Sequence, residues 1–375
     1  MKIMMALHHL PNRDAGAPGA TLRLMEALQQ LGHHVEPFFF SEAFRDPRET
    51  IQRSIAYPWV LGRHLWRVAR HFDIIDASLG DAWVWDAVRH RDRGARPRLV
   101  GRSHGLEHVA HEALLRNVRE GRSRLSRKYF VYHGGFRLWE VARTCRRSDA
   151  VVVLNEVDRD YVVQRLHARP GAVTVIPHGV AEYFFRFPSA RDAGDGPVRL
   201  LFVGRWSEAK GVRDLVTAVD SVLGDGQRVT LTASGVGLQQ AEVLASVPAR
   251  VRGVMSVTSH VSHTELPRVY GEHDVFVFPS LAEGFGLVVA EAMAAGLPVI
   301  TTPVGVGTAL RHGVDSLIVP PRDPSALADA IRLLAVNRGL RARLGAAARR
   351  AAERYRWATV AGRTAALYEE VLAQC

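Results

Sequence analysis

Apolar residues along the chain fall into two alternating patterns. Short, nearly unbroken runs rich in Val, Ile and Phe are separated by longer stretches with apolar positions at helical spacing. In the first half the runs predict strands over Lys2–Leu7, His34–Phe39, Asp73–Ala77, Arg98–Arg102, Asp149–Leu154 and Val173–Pro177. In the second half they predict strands over Val198–Val203, Arg228–Ala233, Val251–Val257, Asp274–Pro279, Pro298–Thr302 and Ser316–Val319. Thr21–Leu31 and Asn155–His167 are examples of the helical stretches. Strands with so little polar alternation are buried on both faces, as in parallel sheets covered by helices. Two successive βα series predict an α/β protein of two doubly wound domains.

The stretch from Pro188 to Pro197 is polar and rich in turn residues, so it predicts a linker over residues 188–197. The first domain is then expected over residues 1–187 and the second over 198–355. From Arg338 to the end the pattern is helical, with possible divisions at Gly345 and at Tyr355–Trp357.

Length agrees with two domains: 375 residues give each its own core. The only cysteines are Cys145 and Cys375, which excludes a disulfide framework and a cysteine-based zinc cluster. The nineteen-residue uncharged run Ala292–Leu310 is interrupted by Gly296, Pro298, Pro303, Gly305 and Gly307, so it reads as helix, turn, strand and loop rather than a span. The apolar N-terminus is too short for a signal peptide and reads as a buried first strand. A soluble, cytoplasmic protein is expected.

The net charge of +11 sits mostly in the first half, and much of it between Arg116 and Arg147, where ten bases face only Glu120 and Glu140. The Arg116–Arg147 stretch is expected to bind an anionic partner or the inner face of an anionic membrane. Tyr129, Phe130, Tyr132 and Phe136 are interleaved with those bases, a pattern that also suits nucleic acid. Aromatics at helical spacing are more often core, and no nucleic-acid partner is expected.

The richest local signal is the stretch Phe278–Ile300. A strand ends at Pro279, a loop carries Glu283, Gly284 and Gly286, and a helix begins near Phe285–Leu287, with Glu291 about one turn inside. Glycines let backbone approach a ligand, and a helix N-terminus offers free N–H groups and a positive dipole end to a phosphate. Two carboxylates beside an anion site make sense as acceptors for hydroxyls, as in a sugar and a ribose joined by pyrophosphate. The plainer reading is a strand–turn–helix with Glu291 on a solvated face. A second loop, Phe202–Gly211, places Arg205 and Lys210 after another strand; together they could neutralise a diphosphate, or be ordinary surface cations. His104 follows a first-half strand and is placed to project into an interdomain cleft, although a lone histidine is more often structural. Asp158 and Asp160 resemble a D-x-D metal clamp, but Asn155 as helix cap and the dipole explain them more simply. No metal and no cofactor is expected.

Taken together, these residues resemble the family 4 glycosyltransferases of GT-B fold. Glu283 and Glu291 match the family's E-x7-E motif, and Arg205 with Lys210 matches its Gly-Arg…Lys-Gly pair. Val175–Val180 resembles the strand and turn that close the N-terminal domain, and Tyr355–Cys375 resembles the terminal helices that cross back to it, so residues 356–375 are expected to pack on the first domain. The resemblance implies two Rossmann-like domains facing a central cleft. It implies metal-independent sugar transfer, with retention, from a nucleoside-diphosphate sugar to a glycan, lipid-linked or small-molecule acceptor. It assigns Arg205 and Lys210 to the diphosphate, Glu291 to the ribose and Glu283 to the donor sugar. Backbone at Gly284, Phe285, Gly286 and Leu287 would support phosphate and sugar, and His104 would stand near the reacting sugar. The Gly-Gly pair common after the first strand is here Ala15-Gly16-Ala17-Pro18-Gly19, with Gly16 on the acceptor side. Ser234-Gly-Val-Gly237 replaces an expected Gly-Asp-Gly. The competing classes are a nucleotide-sugar epimerase of similar fold and a non-catalytic nucleotide-sugar-binding subunit.

Overall fold

The computed structural model describes residues 1–46, 48–89, 97–186 and 196–374. The chain forms two units. Met1–Gly179 with Trp357–Cys375 makes the first, and Val180–Arg356 the second.

In the first unit, β1 (Lys2–Ala6), β2 (His34–Phe38), β3 (Ile74–Ser78), β4 (Arg98–Arg102), β5 (Ala150–Val153) and β6 (Val173–Val175) form one sheet in the order β2-β1-β3-β4-β5-β6. Every pairing is parallel; Ile3, for example, lies opposite both Val35 and Ile74. Alternate residues of a strand serve opposite faces. Ile3 and Met5 pack with Leu24, Leu28, Val360 and Tyr368, whereas Met4 and Ala6 pack with Tyr57, Leu61 and Leu65. Both faces are apolar because both are covered, which is why the strands lack alternation.

The terminal helix Trp357–Ala373 supplies part of the first of these cores. It is also tied by a polar bond. Arg102 donates to Asp76 at 2.7 Å, and the Tyr368 hydroxyl donates to the same carboxylate at 2.5 Å. All three side chains are buried. Losing Tyr368 would leave a buried carboxylate short of a donor, so this helix is held in register and not merely by apolar area.

The second unit repeats the layout. β7 (Val198–Val203), β8 (Val229–Ser234), β9 (Met255–Thr258), β10 (Val275–Phe278), β11 (Val299–Thr301) and β12 (Leu317–Ile318) are ordered β12-β11-β10-β7-β8-β9, again all parallel. Among the described residues no helix is long and apolar enough to cross a membrane.

Some expectations need correction. Residues 180–186 belong with the second unit, not the first. The Val180 amide donates to the Tyr355 carbonyl at 2.7 Å, and Phe184 is buried against His263 and Tyr270. Of the expected linker, residues 188–195 lie outside the described residues. Val251 is not in a strand. Residues Ala249–Arg252 form one helical turn after Pro248, and the strand starts at Met255. Gly345 does not divide the C-terminal region, since Arg338–Ala352 is one helix. A side chain there would strike the Gly296 carbonyl, so that glycine serves close packing. The break falls at Glu353–Tyr355. The first helix begins at Gly16 rather than Thr21, because Pro18 sits in its first turn where no N–H is needed.

Asn155 caps its helix as expected, accepting from the Asp158 amide at 2.8 Å. Asp158 itself is buried, and its Oδ2 finds no partner. Burial pushes its carboxyl up to about 7. The folded state therefore favours the protonated form. That contribution is complete below the unfolded value near 4 and is lost as pH rises towards 7. Asp158→Asn should be more stable than the parent at pH 8, by on the order of 2 kcal/mol, with the difference fading by pH 4. Urea denaturation at the two pH values checks this; an equal difference at both would show that burial of the charge is not what matters.

Candidate functional site

Parallel strands place the loops after β7, β8 and β10 side by side at one edge of the second sheet, because β7 lies between β10 and β8. The loop after β7 is stitched to both neighbours. Gly204 and Trp206 donate to the carbonyls of Ser234 and Val236 at 3.0 and 2.9 Å, and Leu281 donates to Ala209 at 2.8 Å. Gly211 has φ +70°, and a side chain there would collide with the Pro279 carbonyl. Only glycine allows this approach, and it carries Lys210 onto the loop after β10.

There Lys210 Nζ meets Glu283 Oε1 at 2.5 Å. The same oxygen accepts from the Ser280 hydroxyl at 2.7 Å. Lys210 also lies 5.8 Å from the centre of the Phe278 ring. Both charged side chains are only partly exposed, at 27% for Lys210 and 11% for Glu283, so the pair is weakly screened. A third loop braces the second: the Val306 amide donates to the Phe285 carbonyl at 2.6 Å, and Gly305 packs where a side chain would strike that carbonyl. Gly284 lies between Glu283 and Phe285, and Phe285 is buried. Gly286, at φ +83°, is the N-cap of the helix Leu287–Ala294. The first N–H groups of this helix lack partners within it, and its positive end lies next to Glu283 in sequence. Arg205, on the β7 loop, is exposed and makes no hydrogen bond or ion pair with the described residues.

Glu291 is not on a solvated face. It is 3% exposed, and both oxygens are engaged: Oε1 meets His263 Nε2 at 2.8 Å, and Oε2 accepts from the Tyr270 hydroxyl at 3.2 Å. The other ring nitrogen of His263 bonds the Tyr183 hydroxyl. His263, Tyr270 and Tyr183 carried no signal in the sequence. His263 is 28 residues from Glu291 and Tyr183 a further 80 from His263, with no periodicity to join them.

The structure brings Lys210, Glu283 and the helix start together, with Arg205 on the same loop as Lys210. His104 is in the first unit, on the loop after β4. Its ring stacks on His178 at 5.4 Å, and its Nδ1 is buried without a partner. Burial, then the neighbouring His178 and Arg102, push its pKa well below the usual imidazole value, so it is neutral at physiological pH. Burial and Arg102 bring His178 down to about 3. His104 lines a cavity of about 370 Å³ bordered also by Leu7, His8, Ser103, Glu107 and Arg137. Gly16 is the open first residue of its helix, with Ala17 at the rim of the cavity.

Beneath that cavity lies a group the sequence hid. Asp81 is fully buried and accepts from the His8 amide at 3.1 Å and from Arg137 at 3.1 Å. Burial opposes its charge, but His8 and Arg137 outweigh that and hold its carboxyl below the usual range. Arg137 and Glu140, both within the basic stretch Arg116–Arg147, are buried. Burial moves Glu140 up to about 7 even beside Arg137. Gly80, at φ +87°, is required because a side chain would strike the Arg137 guanidinium.

Residues 16–182 match the model "Glycosyltransferase Family 4", and residues 197–337 match "Glycosyl transferases group 1". Among curated relatives, a glycogen synthase of Mycobacterium tuberculosis is 34% identical over 228 residues, which is 60% of this chain and 54% of that protein. A D-inositol 3-phosphate glycosyltransferase of Streptomyces coelicolor is 32% identical over 251 residues, covering 59% and 55%. The chain thus spans about half the length of the curated relatives it matches. Among solved structures, a sucrose-phosphate synthase from Thermosynechococcus elongatus superposes with TM-score 0.79 at 21% identity over 100% of both chains. HepE of Anabaena, solved with UDP, superposes with TM-score 0.71 at 18% identity over 99% of this chain and 100% of its own. The shared fold is the two-domain α/β fold called GT-B. With two adjoining glycosyltransferase models matched in order along it, the chain belongs to the family 4 glycosyltransferases.

Proposed function

We propose that this chain transfers a sugar, with retention and without a metal, from a nucleoside-diphosphate sugar to a glycan, lipid-linked or small-molecule acceptor. The observation that carries the reading is the Lys210–Glu283 pair beside the free N-terminus of Leu287–Ala294. The two charges satisfy each other. When the donor enters, its diphosphate takes Lys210 and Arg205 while the sugar's hydroxyls take Glu283. Negative charge then builds on the leaving diphosphate where cations and helix amides already stand, which lowers the barrier without a metal. Glu291, oriented by His263 and Tyr270, is assigned to the ribose. His104 stays neutral and hydroxyl-compatible beside the cavity assigned to the acceptor. Contact with an anionic membrane at the cytoplasmic face belongs to the same reading.

The direct test is a thermal-shift panel with UDP, GDP, ADP and TDP, followed by a donor-turnover assay in EDTA. One diphosphate should raise the melting temperature, since ligand binding to the native state stabilises it. Turnover should survive chelation. Loss on EDTA that is restored by Mg²⁺ or Mn²⁺ overturns the metal-free mechanism.

The two glutamates should separate. Glu291→Gln loses a charged acceptor and should weaken both bare diphosphate and intact donor, by about 10- to 100-fold, as expected for a hydrogen bond to a charged group. Glu283→Gln releases Lys210 from its partner. It should bind bare diphosphate at least as well as the parent while losing turnover. Calorimetric titration with diphosphate, alongside rates, decides it; equal weakening by both substitutions refutes the division of roles.

His104→Ala should lower kcat by roughly 10²-fold or more if the ring serves the reacting sugar, with diphosphate affinity unchanged. A folded variant with full turnover would make His104 a structural partner of His178 only.

A further inference from the structure

Nine of the fifteen exposed large hydrophobic side chains among the described residues fall between residues 51 and 139. The helix Ile51–Val68 carries two opposed apolar stripes. One, with Tyr57, Leu61 and Leu65, is buried in the first unit's core. The other runs through Ile55, Trp59 and Trp66, which share a face at helical spacing and stay exposed. Trp59 is 57% exposed and Trp66 74%. The exposed stripe does not end with its own helix. Trp59 meets Trp83 edge-on at 5.4 Å, and Trp83 meets Trp139 at 5.1 Å. Phe136 stacks on Trp139 at 5.4 Å. Three helical segments thus build one continuous aromatic ridge on the surface.

Its charge surroundings say what covers it. The helix Ile51–Val68 contains no acidic residue, and neither does the segment from Gly121 to Trp139. Arg63 and Arg67 on the helix, and Arg127 and Lys128 on the segment, are exposed and have no ion pair with the described residues. Arg143 lies over the Trp139 ring at 5.8 Å. A second copy of this chain would set bases against bases. An anionic bilayer meets both halves of the pattern: tryptophans settle at headgroup depth, and the flanking bases meet lipid phosphates. The same segments also line the 370 Å³ cavity, through Ser54 on the first helix and Tyr132, His133 and Arg137 on the second.

We propose that the ridge Ile55–Trp59–Trp66–Trp83–Phe136–Trp139 is a docking edge that seats the first unit on an anionic membrane leaflet. Its cavity then stands within reach of an acceptor headgroup carried on lipid. This rests on the transferase reading and names the acceptor class as membrane-anchored.

Flotation with phosphatidylcholine vesicles, with and without phosphatidylglycerol, tests it on the full chain. Wild type should float only with the anionic vesicles, less so as salt rises. Trp59→Ser/Trp139→Ser should cut the bound fraction by about tenfold or more, because the buried ring area is lost. Arg63→Gln/Arg67→Gln should weaken binding and flatten its salt dependence. Circular dichroism and the thermal shift with nucleoside diphosphate serve as controls that each variant is folded. Absence of wild-type flotation at low salt overturns the proposal, as does flotation that ignores the tryptophans. If the tryptophan pair instead lowers the solution mass in sedimentation equilibrium, the ridge is a contact between copies and the proposal also fails. In each of these failures a retained diphosphate shift leaves the transferase reading standing. Loss of that shift in wild type would sink the transferase reading and not the docking edge.

Discussion

Everything in this molecule depends on the geometry of parallel sheets. Strands that all run one way must be joined by crossover helices, so both faces are covered and every strand's C-terminal loop opens at the same edge. Backbone polar groups of the strands are satisfied inside the sheets, so the loops at that edge are left to bond one another and to present side chains. In the second unit the order β10-β7-β8 makes neighbours of loops that are about 30 to 80 residues apart along the chain. The candidate donor site is a consequence of that order.

Within that frame, small residues set the distances. Gly211 lets one loop lie against the carbonyl that ends β10, Gly286 turns the chain into the helix, and Gly305 lets a third loop close on the second. Charges then find each other at short range. Lys210 has Glu283 as its resting partner, and Glu291 is held by a histidine and a tyrosine that fix its direction. A partly shielded ion pair resists salt more than an exposed one yet can still exchange partners with an incoming anion.

The first unit buries more charge than its basic composition suggested. Asp76, Arg102, Asp81, Arg137 and Glu140 all lie in its interior, each with a hydrogen-bonded partner. Burying such groups is costly unless they are paired, and here pairing ties the terminal helix to the sheet and the segment around Arg137 to the loop after β3. The consequence at the surface is equally physical. With the basic segment's Arg137 turned inward, Phe136 and Trp139 are left facing out, and the ridge with Trp59 follows from that inversion.

The sequence alone determined the strands, their burial on both faces and the two successive βα series, because Val-, Ile- and Phe-rich runs without polar alternation have few other solutions. It also marked Arg205, Lys210 and Glu283, since glycine-flanked charges after a strand are a local pattern, and Glu291, about one turn inside the helix that follows. Only the tertiary structure decided which of those charges meet. It paired Lys210 with Glu283, buried Glu291 against His263 and Tyr270, stacked His104 on His178 and turned Arg137 inward. These partners lie tens of residues apart, and periodicity carries no information beyond a few helical turns or one strand. Long-range pairing is set by strand order and by the close approaches that glycine permits, and both exist only once the chain has folded.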